Sequence, residues 1–355
     1  MKKLVIFFSW LLLTSGPAKA QHPVYRNLVM EGGGVRAFAY AGALQVLDSL
    51  HLLDSLERVG GTSAGAIQAT LLAIGYKPDE IGEIAQRVPL RQFNDGSWFF
   101  PAGIRRLRRQ FGWYKGDHVR DWIAALIAAK TGNALITFGQ LHAKRNEEGY
   151  KDLYITGTDL TWQCLRVFSH ETHPDMRIQD AVRISISIPL YYRPVLIDSA
   201  GHVYESNDTN KPLHVMADGG ILGNYPIFLF DSTRFIRTEH HSSTNYFVEN
   251  PETLGLLMEM PAQIDYNTYY RGSSPIQIVS LSQYVQALYR TIVDKSNPDG
   301  TNGYKYRRTI AISNLDLSGR VRKLRRRTIL SLIESGRQAV RQFFRPGTSE
   351  SILLP

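Results

Sequence analysis

Two successive stretches of the chain share one pattern of hydrophobic and polar positions. Each begins with a short apolar run (27–30 and 56–59), continues through a glycine-rich loop, and ends with apolar residues at helical spacing. The helical stripes occupy positions 39, 43, 46, 47 and 50 in the first stretch and 67, 71 and 74 in the second. Two strand–loop–helix units in a row predict an α/β fold with three α/β/α layers, a mainly parallel central sheet and crossover helices.

Apolar runs later in the chain predict further elements. Residues 213–217 and 310–312 have the pattern of short strands, and 119–130 and 276–293 that of helices. Between 227 and 314 the pattern is weaker and is interrupted by turn-rich segments. Because no internal repeat or low-complexity linker divides the chain, we predict a single domain over 21–355, with its core at about 27–226 and a cap and C-terminal helices at about 227–345.

The first twenty residues differ from the rest in composition. Lys2 and Lys3 precede an apolar run at 4–13, and Ala18-Lys19-Ala20 supplies a cleavage site of the A-x-A type. This arrangement is typical of a secretory signal peptide, and the run is too short to anchor a protein in a membrane. Cys164 is the only cysteine of the chain, so no internal disulfide is expected. We therefore expect an exported bacterial protein, either periplasmic or secreted.

Positive charge is concentrated in two segments of a chain whose formal net charge is +9. Residues 104–109 and 320–327 both interleave arginine with apolar residues at a spacing that fits one face of a helix. One interpretation is a solvated helix face, and the other is peripheral contact with an anionic membrane surface. The sequence has no motif that reads nucleic acid, so we expect no nucleic-acid partner.

The two glycine loops carry the candidate chemistry. Gly61-Thr62-Ser63-Ala64-Gly65 fits the pattern G-x-S-x-G, in which a serine lies on a sharp turn between a strand and a helix. The three glycines at 32–34 let several backbone N–H groups point into one concavity, which suits a bound phosphate or the oxyanion of an acyl transfer. Since loops at the carboxyl ends of parallel strands share one edge of a sheet, we expect the two loops to meet.

The order of the motifs resembles that of the patatin-like phospholipase family. Gly-Gly-Gly-Val-Arg at 32–36 and the serine turn at 61–65 are followed by Met-Ala-Asp-Gly-Gly at 216–220 and Asn-Tyr-Pro at 224–226. The segment 181–189, which ends in a proline, also resembles a segment of the family that precedes the aspartate. The likeness extends over about 27–226, and the helical pattern at 330–344 is similar to the family's closing helix.

This resemblance implies a fold, an activity and a set of site residues. It implies a lipid acyl hydrolase of the phospholipase A or esterase type, which cleaves carboxylic esters of phospholipids or other lipids without a metal or cofactor. Ser63 would be the nucleophile and Asp218 its base, as a dyad rather than a triad. The residues that would line the oxyanion hole are Gly32, Gly33, Gly34 and Arg36. One position departs from the family, which commonly has glycine where this chain has Ala37.

Two other functions remain open on the residues alone. A triad carboxylesterase would need a histidine after Asp218, where the chain offers His240 and His241 in a polar segment that is typical of a surface loop. A non-catalytic protein could bind anionic lipid through the glycine loop and the basic segments. An aspartate base also needs an altered pKa, because free aspartate ionises at about pH 4 and burial is what raises that value.

Overall fold

The structure is a computed structural model. It describes residues 24–96, 100–206, 210–236, 246–269 and 307–345 apart from 318, 320 and 322, with isolated positions between 275 and 291. The predicted signal peptide at 1–20, the histidines His240 and His241, and most of the helix predicted at 276–293 lie outside the described residues.

The described strands form a nine-stranded sheet and a small two-stranded sheet. They are β1 Asn27–Met30, β2 Arg58–Gly61, β3 Gly112–Tyr114, β4 Asp152–Asp159, β5 Cys164–Phe168, β6 Leu190–Tyr192, β7 Val195–Ile197, β8 Val203–Tyr204, β9 His214–Asp218, β10 Thr253–Glu259 and β11 Thr309–Ser313. The large sheet has the order β11-β10-β1-β2-β4-β9-β7-β8, with β5 also paired to β4. Strands β11, β10, β1, β2 and β4 are parallel to their neighbours in that run. The mainly parallel central sheet is therefore confirmed, with antiparallel pairs confined to β5, β7, β8 and β9.

The helices of the described part flank this sheet. They are α1 Ala39–Ser49, α2 Ala64–Ala73, α3 Pro78–Arg87, α4 Phe100–Gln110, α5 Asp117–Thr131, α6 Phe138–Ala143, α7 Arg145–Glu148, α8 Ile178–Ser185, α9 Gly220–Gly223, α10 Pro261–Tyr269 and α11 Arg326–Phe343, with 3₁₀ turns at Gly34–Phe38, Ile227–Phe230 and Thr233–Phe235. The predicted stripes after the two glycine loops coincide with α1 and α2. No helix of the described residues is long and apolar enough to cross a membrane.

Side chains of the central strands alternate between two apolar layers. Leu28 and Met30 belong to the larger buried cluster, which contains residues of α1, α2, α8 and α11. Val29, between them, belongs to a smaller cluster on the other face, with Tyr225 and Phe230 from the segment after β9. This alternation follows from the period of two in a strand. Because both faces are covered, the strands read in the sequence as continuous apolar runs.

The structure differs from the sequence prediction at the first residue of one strand and in the second basic segment. The apolar run at 56–59 marks a strand that begins at Arg58, because Leu56 is buried before the strand starts. The basic segment 104–109 lies on α4 as predicted. The second basic segment, 320–327, is only partly helical. Helix α11 begins at Arg326, and the described residues just before it are not helical. Leu324 is buried there, so tertiary packing overrides the helical spacing.

Strand register brings three loops to one edge of the sheet. Strands β1 and β2 are adjacent and parallel, so the loops that follow Met30 and Gly61 leave at the same edge. Gly61 is paired with Ile155 of β4, and β4 continues beyond that point. The antiparallel β9 returns along this extension and ends with Asp218 opposite Gly157, two residues past Ile155. Asp218 therefore reaches the edge where the glycine loop and the serine turn lie.

Candidate active site

Ser63 occupies a strained position in the turn between β2 and α2. Its backbone has φ 52° and ψ −123°, a left-handed φ that non-glycine residues rarely adopt. The flanking glycines permit the turn, because a Cβ on Gly61 would lie 2.6 Å from the carbonyl carbon of Gly65, and a Cβ on Gly65 would lie 2.3 Å from the carbonyl oxygen of Met30. Such strain costs about 1–3 kcal/mol and is common at functional sites.

The side chains of Ser63 and Asp218 meet directly. The Ser63 hydroxyl donates a hydrogen bond of 2.9 Å to Oδ2 of Asp218. The other carboxylate oxygen accepts a 2.7 Å hydrogen bond from the N–H of Gly220. The backbone of Asp218 is also held, because its N–H donates to the carbonyl of Ser187 at 2.9 Å. None of the described histidines is hydrogen-bonded to either side chain.

Burial tunes the acid–base character of Asp218. This residue is 3% exposed and Ser63 is 9% exposed. Removal from water disfavours the carboxylate and raises the pKa of Asp218 to about 7, although hydrogen bonds from Gly220 and Ser63 act in the opposite direction. A carboxyl with a pKa near neutrality can accept a proton and return it at physiological pH.

The glycine loop lies against the serine turn and carries backbone N–H groups that could bind an anion. A Cβ on Gly32 would lie 3.2 Å from Cβ of Ser63, so the two loops touch. The Gly32 N–H is already used, because it donates to the carbonyl of Asn224 at 3.0 Å. The N–H groups of Gly33 and Gly34 have no acceptor among the described residues. Both groups can therefore bind an anion at the glycine loop, and Gly34 lines the same cavity as Ser63.

Arg36 is bound to the loop rather than extended into the site. Its Nε donates a 3.0 Å hydrogen bond to the carbonyl oxygen of Gly33. In a trans peptide the C=O and the following N–H point in opposite directions. Fixing the carbonyl of Gly33 therefore fixes the direction of the Gly34 N–H on the other side of the peptide plane.

Two contributions to the site were not found in the sequence. The hydroxyl of Ser185, at the end of α8, accepts a 2.8 Å hydrogen bond from the N–H of Ser63 and so steadies the strained turn. The N–H of Ala64, the first residue of α2, has no acceptor among the described residues and directly follows Ser63. The Ser-Ile-Ser-Ile-Pro stretch at 185–189 resembled a family segment, but only tertiary packing brings its first serine to Ser63.

An apolar cavity of about 90 Å³ adjoins Ser63. Its walls come from the 3₁₀ turn after the glycine loop, from α2, α3 and α5, and from the segment after α8. Gln68 is the one amide side chain among residues that are otherwise mostly aliphatic or aromatic. The lining residues are Gly34, Val35, Ala37, Phe38, Ser63, Ala64, Ile67, Gln68, Leu71, Ile84, Ala85, Val88, Leu90, Phe93, Val119, Trp122, Ile186, Ile188, Tyr192 and Val321.

A second polar cluster lies at the opposite edge of the sheet. Potential ligand atoms of His142, Asp152 and His170 lie within 4.8 Å of one another, a grouping that the sequence spacing did not suggest. The two imidazole rings are stacked at 3.8 Å with an angle of 7° between their planes, and their Nδ1 atoms lie 2.6 Å and 3.7 Å from the same carboxylate oxygen of Asp152. Asp152 is also paired with Arg145 at 2.8 Å. We interpret the cluster as an ion-pair and stacking contact.

Comparison with known proteins relates the chain to the patatin-like phospholipase family. A family model described as patatin-like phospholipase matches residues 28–231. An uncharacterized protein of Acanthamoeba polyphaga mimivirus is 35% identical over 218 residues, which cover 61% of this chain and 65% of that protein. A protein of Invertebrate iridescent virus 6 named as a probable lipid hydrolase is 24% identical over 208 residues, which cover 57% of this chain and 62% of that protein. The match thus spans less than two thirds of the length of both relatives.

A solved structure supports the fold. The crystal structure of VipD from Legionella pneumophila aligns with a TM-score of 0.58 and 15% sequence identity, over 90% of this chain and 67% of that chain. At this level of identity the similarity concerns the arrangement of helices and strands alone.

Proposed function

The chain belongs to the patatin-like phospholipase family, and from this premise we propose that it hydrolyses lipid esters with a Ser63–Asp218 dyad. The observation that carries the proposal is the 2.9 Å hydrogen bond from a strained serine to a buried aspartate. An activated nucleophile requires a base within hydrogen-bond reach and a third group that fixes the orientation of the base. Here the N–H of Gly220 is the fixing group.

Acylation begins when the Ser63 hydroxyl attacks the ester carbonyl carbon. Its proton moves along the existing hydrogen bond to Oδ2 of Asp218 as the new C–O bond forms. A base whose pKa is about 7 accepts this proton more readily than a free aspartate does. When the tetrahedral intermediate collapses, Asp218 returns the proton to the departing alcohol, and the acyl group remains on Ser63.

The oxyanion of the tetrahedral intermediate needs donors that are already in place. We assign the oxyanion hole to the N–H groups of Gly33, Gly34 and Ala64, which have no acceptor among the described residues. Gly32 lines the hole through its contact with Ser63. Arg36 is a positioning residue that orients the Gly34 N–H. Removing one such donor in serine hydrolases lowers kcat by about 10²–10³.

Deacylation uses the same groups with water as the nucleophile. Asp218, ionised again after the alcohol has left, removes a proton from a water molecule that attacks the acyl carbonyl. The tetrahedral intermediate is again held by the free N–H groups, and its collapse returns the proton to Ser63 and releases a fatty acid. No metal or cofactor enters this sequence of steps.

The shape of the site favours a lipid as the ester. The cavity beside Ser63 is lined mainly by apolar side chains and suits an acyl chain. The relative named as a probable lipid hydrolase supports the same substrate class. Phospholipids and other lipid esters are the proposed substrates. On the pattern of its first twenty residues, we also propose that the chain is exported.

Hydrolysis by matched variants tests the dyad. Release of fatty acid from phospholipid vesicles and from p-nitrophenyl esters is measured for the wild type, Ser63→Ala and Asp218→Asn. Ser331→Ala and Asp121→Asn, exposed positions on α11 and α5, serve as controls. We expect both site variants to lose activity and both controls to retain it.

Other outcomes point to the alternative functions. Activity retained in both Ser63→Ala and Asp218→Asn would refute the dyad. Activity that disappears in His240→Ala or His241→Ala would instead support a triad carboxylesterase. A wild type that binds lipid and hydrolyses no ester would support the non-catalytic function.

A further inference from the structure

Helix α4 displays a row of arginines to solvent. Arg105, Arg108 and Arg109 are exposed, and their spacing of three and four residues places them on one side of the helix. The sequence of α4 contains no acidic residue that could neutralise them. The other side of the helix is packed, because a Cβ on Gly103 would lie 2.8 Å from the ring of Trp113. The row of charges is therefore held on a fixed support.

Two large apolar side chains stand in solvent next to this helix. Phe111 follows α4 and is 58% exposed, and Leu190 of β6 is 67% exposed. Leu190 is paired with Gly112, the first residue of β3, and Phe111 immediately precedes that strand. Phe111 and Leu190 both have a left-handed backbone, with φ of 59° and 66° respectively. Such conformations persist only where the surrounding structure imposes them. The fold therefore keeps both side chains exposed, although the left-handed backbone and the exposed apolar surface are each unfavourable.

The segment that carries Leu190 also contributes to the cavity beside Ser63. Ile188 and Tyr192 line that cavity, whereas Pro189 and Leu190 between them are exposed. A single short segment thus has one side in the proposed acyl site and the other in solvent next to the arginines. A lipid bound at this segment would therefore lie close to the cavity that Ser63 lines.

We propose that Arg105, Arg108, Arg109, Phe111 and Leu190 form a docking face for an anionic lipid bilayer. The arginines would contact headgroup phosphates, while Phe111 and Leu190 would enter the boundary with the acyl chains. Charge complementarity and exposed apolar area together favour a membrane over an acidic protein, which would match the arginines alone. The inference rests on the proposed function, because the docked membrane is the source of the lipid ester.

Vesicle flotation measures docking without hydrolysis. In a Ser63→Ala background, binding is compared for vesicles of phosphatidylcholine alone and vesicles that also contain phosphatidylglycerol. We expect binding to the anionic vesicles, and a partition coefficient about thirtyfold lower in R105Q/R108Q, since two basic residues near an anionic surface are removed. Leu190→Asn, whose asparagine suits the left-handed backbone, should lower the partition coefficient about tenfold.

Matched controls separate a docking face from net charge. K144Q/R341Q also removes two positive charges, but at a different place. Lys144 precedes α7, whose Arg145 pairs with Asp152, and Arg341 lies in the last turn of α11. Asp152 begins β4, and the ring of Phe344, just after α11, lies 6.3 Å from that of Tyr25, just before β1. Lys144 and Arg341 therefore both lie toward the edge of the sheet opposite Ser63. Leu135→Asn removes a 52% exposed leucine beyond the carboxyl end of α5. We expect these variants to bind as the Ser63→Ala parent does.

Three results would overturn the proposal. These are equal loss in R105Q/R108Q and K144Q/R341Q, equal binding of neutral and anionic vesicles, and no vesicle binding at all. Hydrolysis of a soluble ester by the wild-type chain tests the proposed function separately. If the wild-type chain hydrolyses that ester but the flotation test fails, the docking face would be refuted and the catalytic proposal would stand.

Discussion

Replacing Asp218 by asparagine should abolish activity and at the same time stabilise the protein at alkaline pH. Asparagine has nearly the same shape, and its amide can keep both contacts, accepting from the Gly220 N–H and donating to Ser63. What the substitution removes is the cost of a buried charge. That cost is visible in the pKa of Asp218, which burial raises from 3.8 to about 7.

The size and sign of the stability change follow from proton linkage. Between about pH 4 and pH 7 the native carboxyl holds a proton that the unfolded chain has released, so the free energy of unfolding falls as pH rises through this window. A difference of about three pKa units corresponds to roughly 4 kcal/mol. Asp218→Asn does not titrate, so it should exceed the wild type by up to roughly 4 kcal/mol above pH 7 and match it near pH 4.

Urea denaturation of both proteins at pH 4.5, 6 and 8 measures this difference, and other titrating groups cancel between them. Asp159→Asn gives a control of opposite sign. Burial alone would raise the pKa of Asp159, but hydrogen bonds from the Trp162 N–H, His214 and Arg166 outweigh it and lower the pKa. That variant should lose stability at pH 8. If Asp218→Asn were no more stable than the wild type at pH 8, the argument from a buried charge would be wrong.

Four further outcomes can be checked independently. For an uncharged ester, kcat/KM should rise about tenfold per pH unit up to about pH 7 and then level off, as a pH–rate profile would show, because Asp218 must be ionised to act. Arg36→Met should lower kcat by about 10–100-fold with a smaller change in KM, since the Gly34 N–H loses its orientation; steady-state kinetics measure both. Ala85→Phe should fill the cavity and lower the rate on long-chain esters relative to butyrate by about tenfold or more, compared over a chain-length series, with circular dichroism checking the fold. Arg308→Met should cost about 3–5 kcal/mol in urea denaturation, because it leaves the buried Asp231 without the two 2.6 Å hydrogen bonds from Arg308.

The fold could be predicted because it rests on local patterns, whereas Asp218 was a candidate only through the resemblance to the patatin-like family. Apolar runs followed by glycine loops predicted β1, β2 and their helices, and the rule that such loops share an edge brought the glycine loop to Ser63. The direction of β9 could not be predicted, since an apolar run at 213–217 has the same pattern in either orientation. Its antiparallel course is nevertheless what places Asp218 opposite Gly157.

Details of the site depended on contacts between distant segments. The use of the Gly32 N–H by Asn224 and the support of Ser63 by Ser185 join residues more than a hundred positions apart. No spacing along the chain specifies such contacts. The same holds for the second basic segment, where burial of Leu324 prevails over a helical spacing of charges.

Covalent labelling by a fluorophosphonate tests most directly that Ser63 is an activated nucleophile. The reagent forms a stable adduct only with a serine whose hydroxyl is activated, and mass spectrometry of peptides locates it. We predict one adduct on the peptide that contains Ser63, lost in Ser63→Ala and formed much more slowly in Asp218→Asn. An adduct on another residue, or ester hydrolysis by a chain in which Ser63 stays unlabelled, would contradict the account.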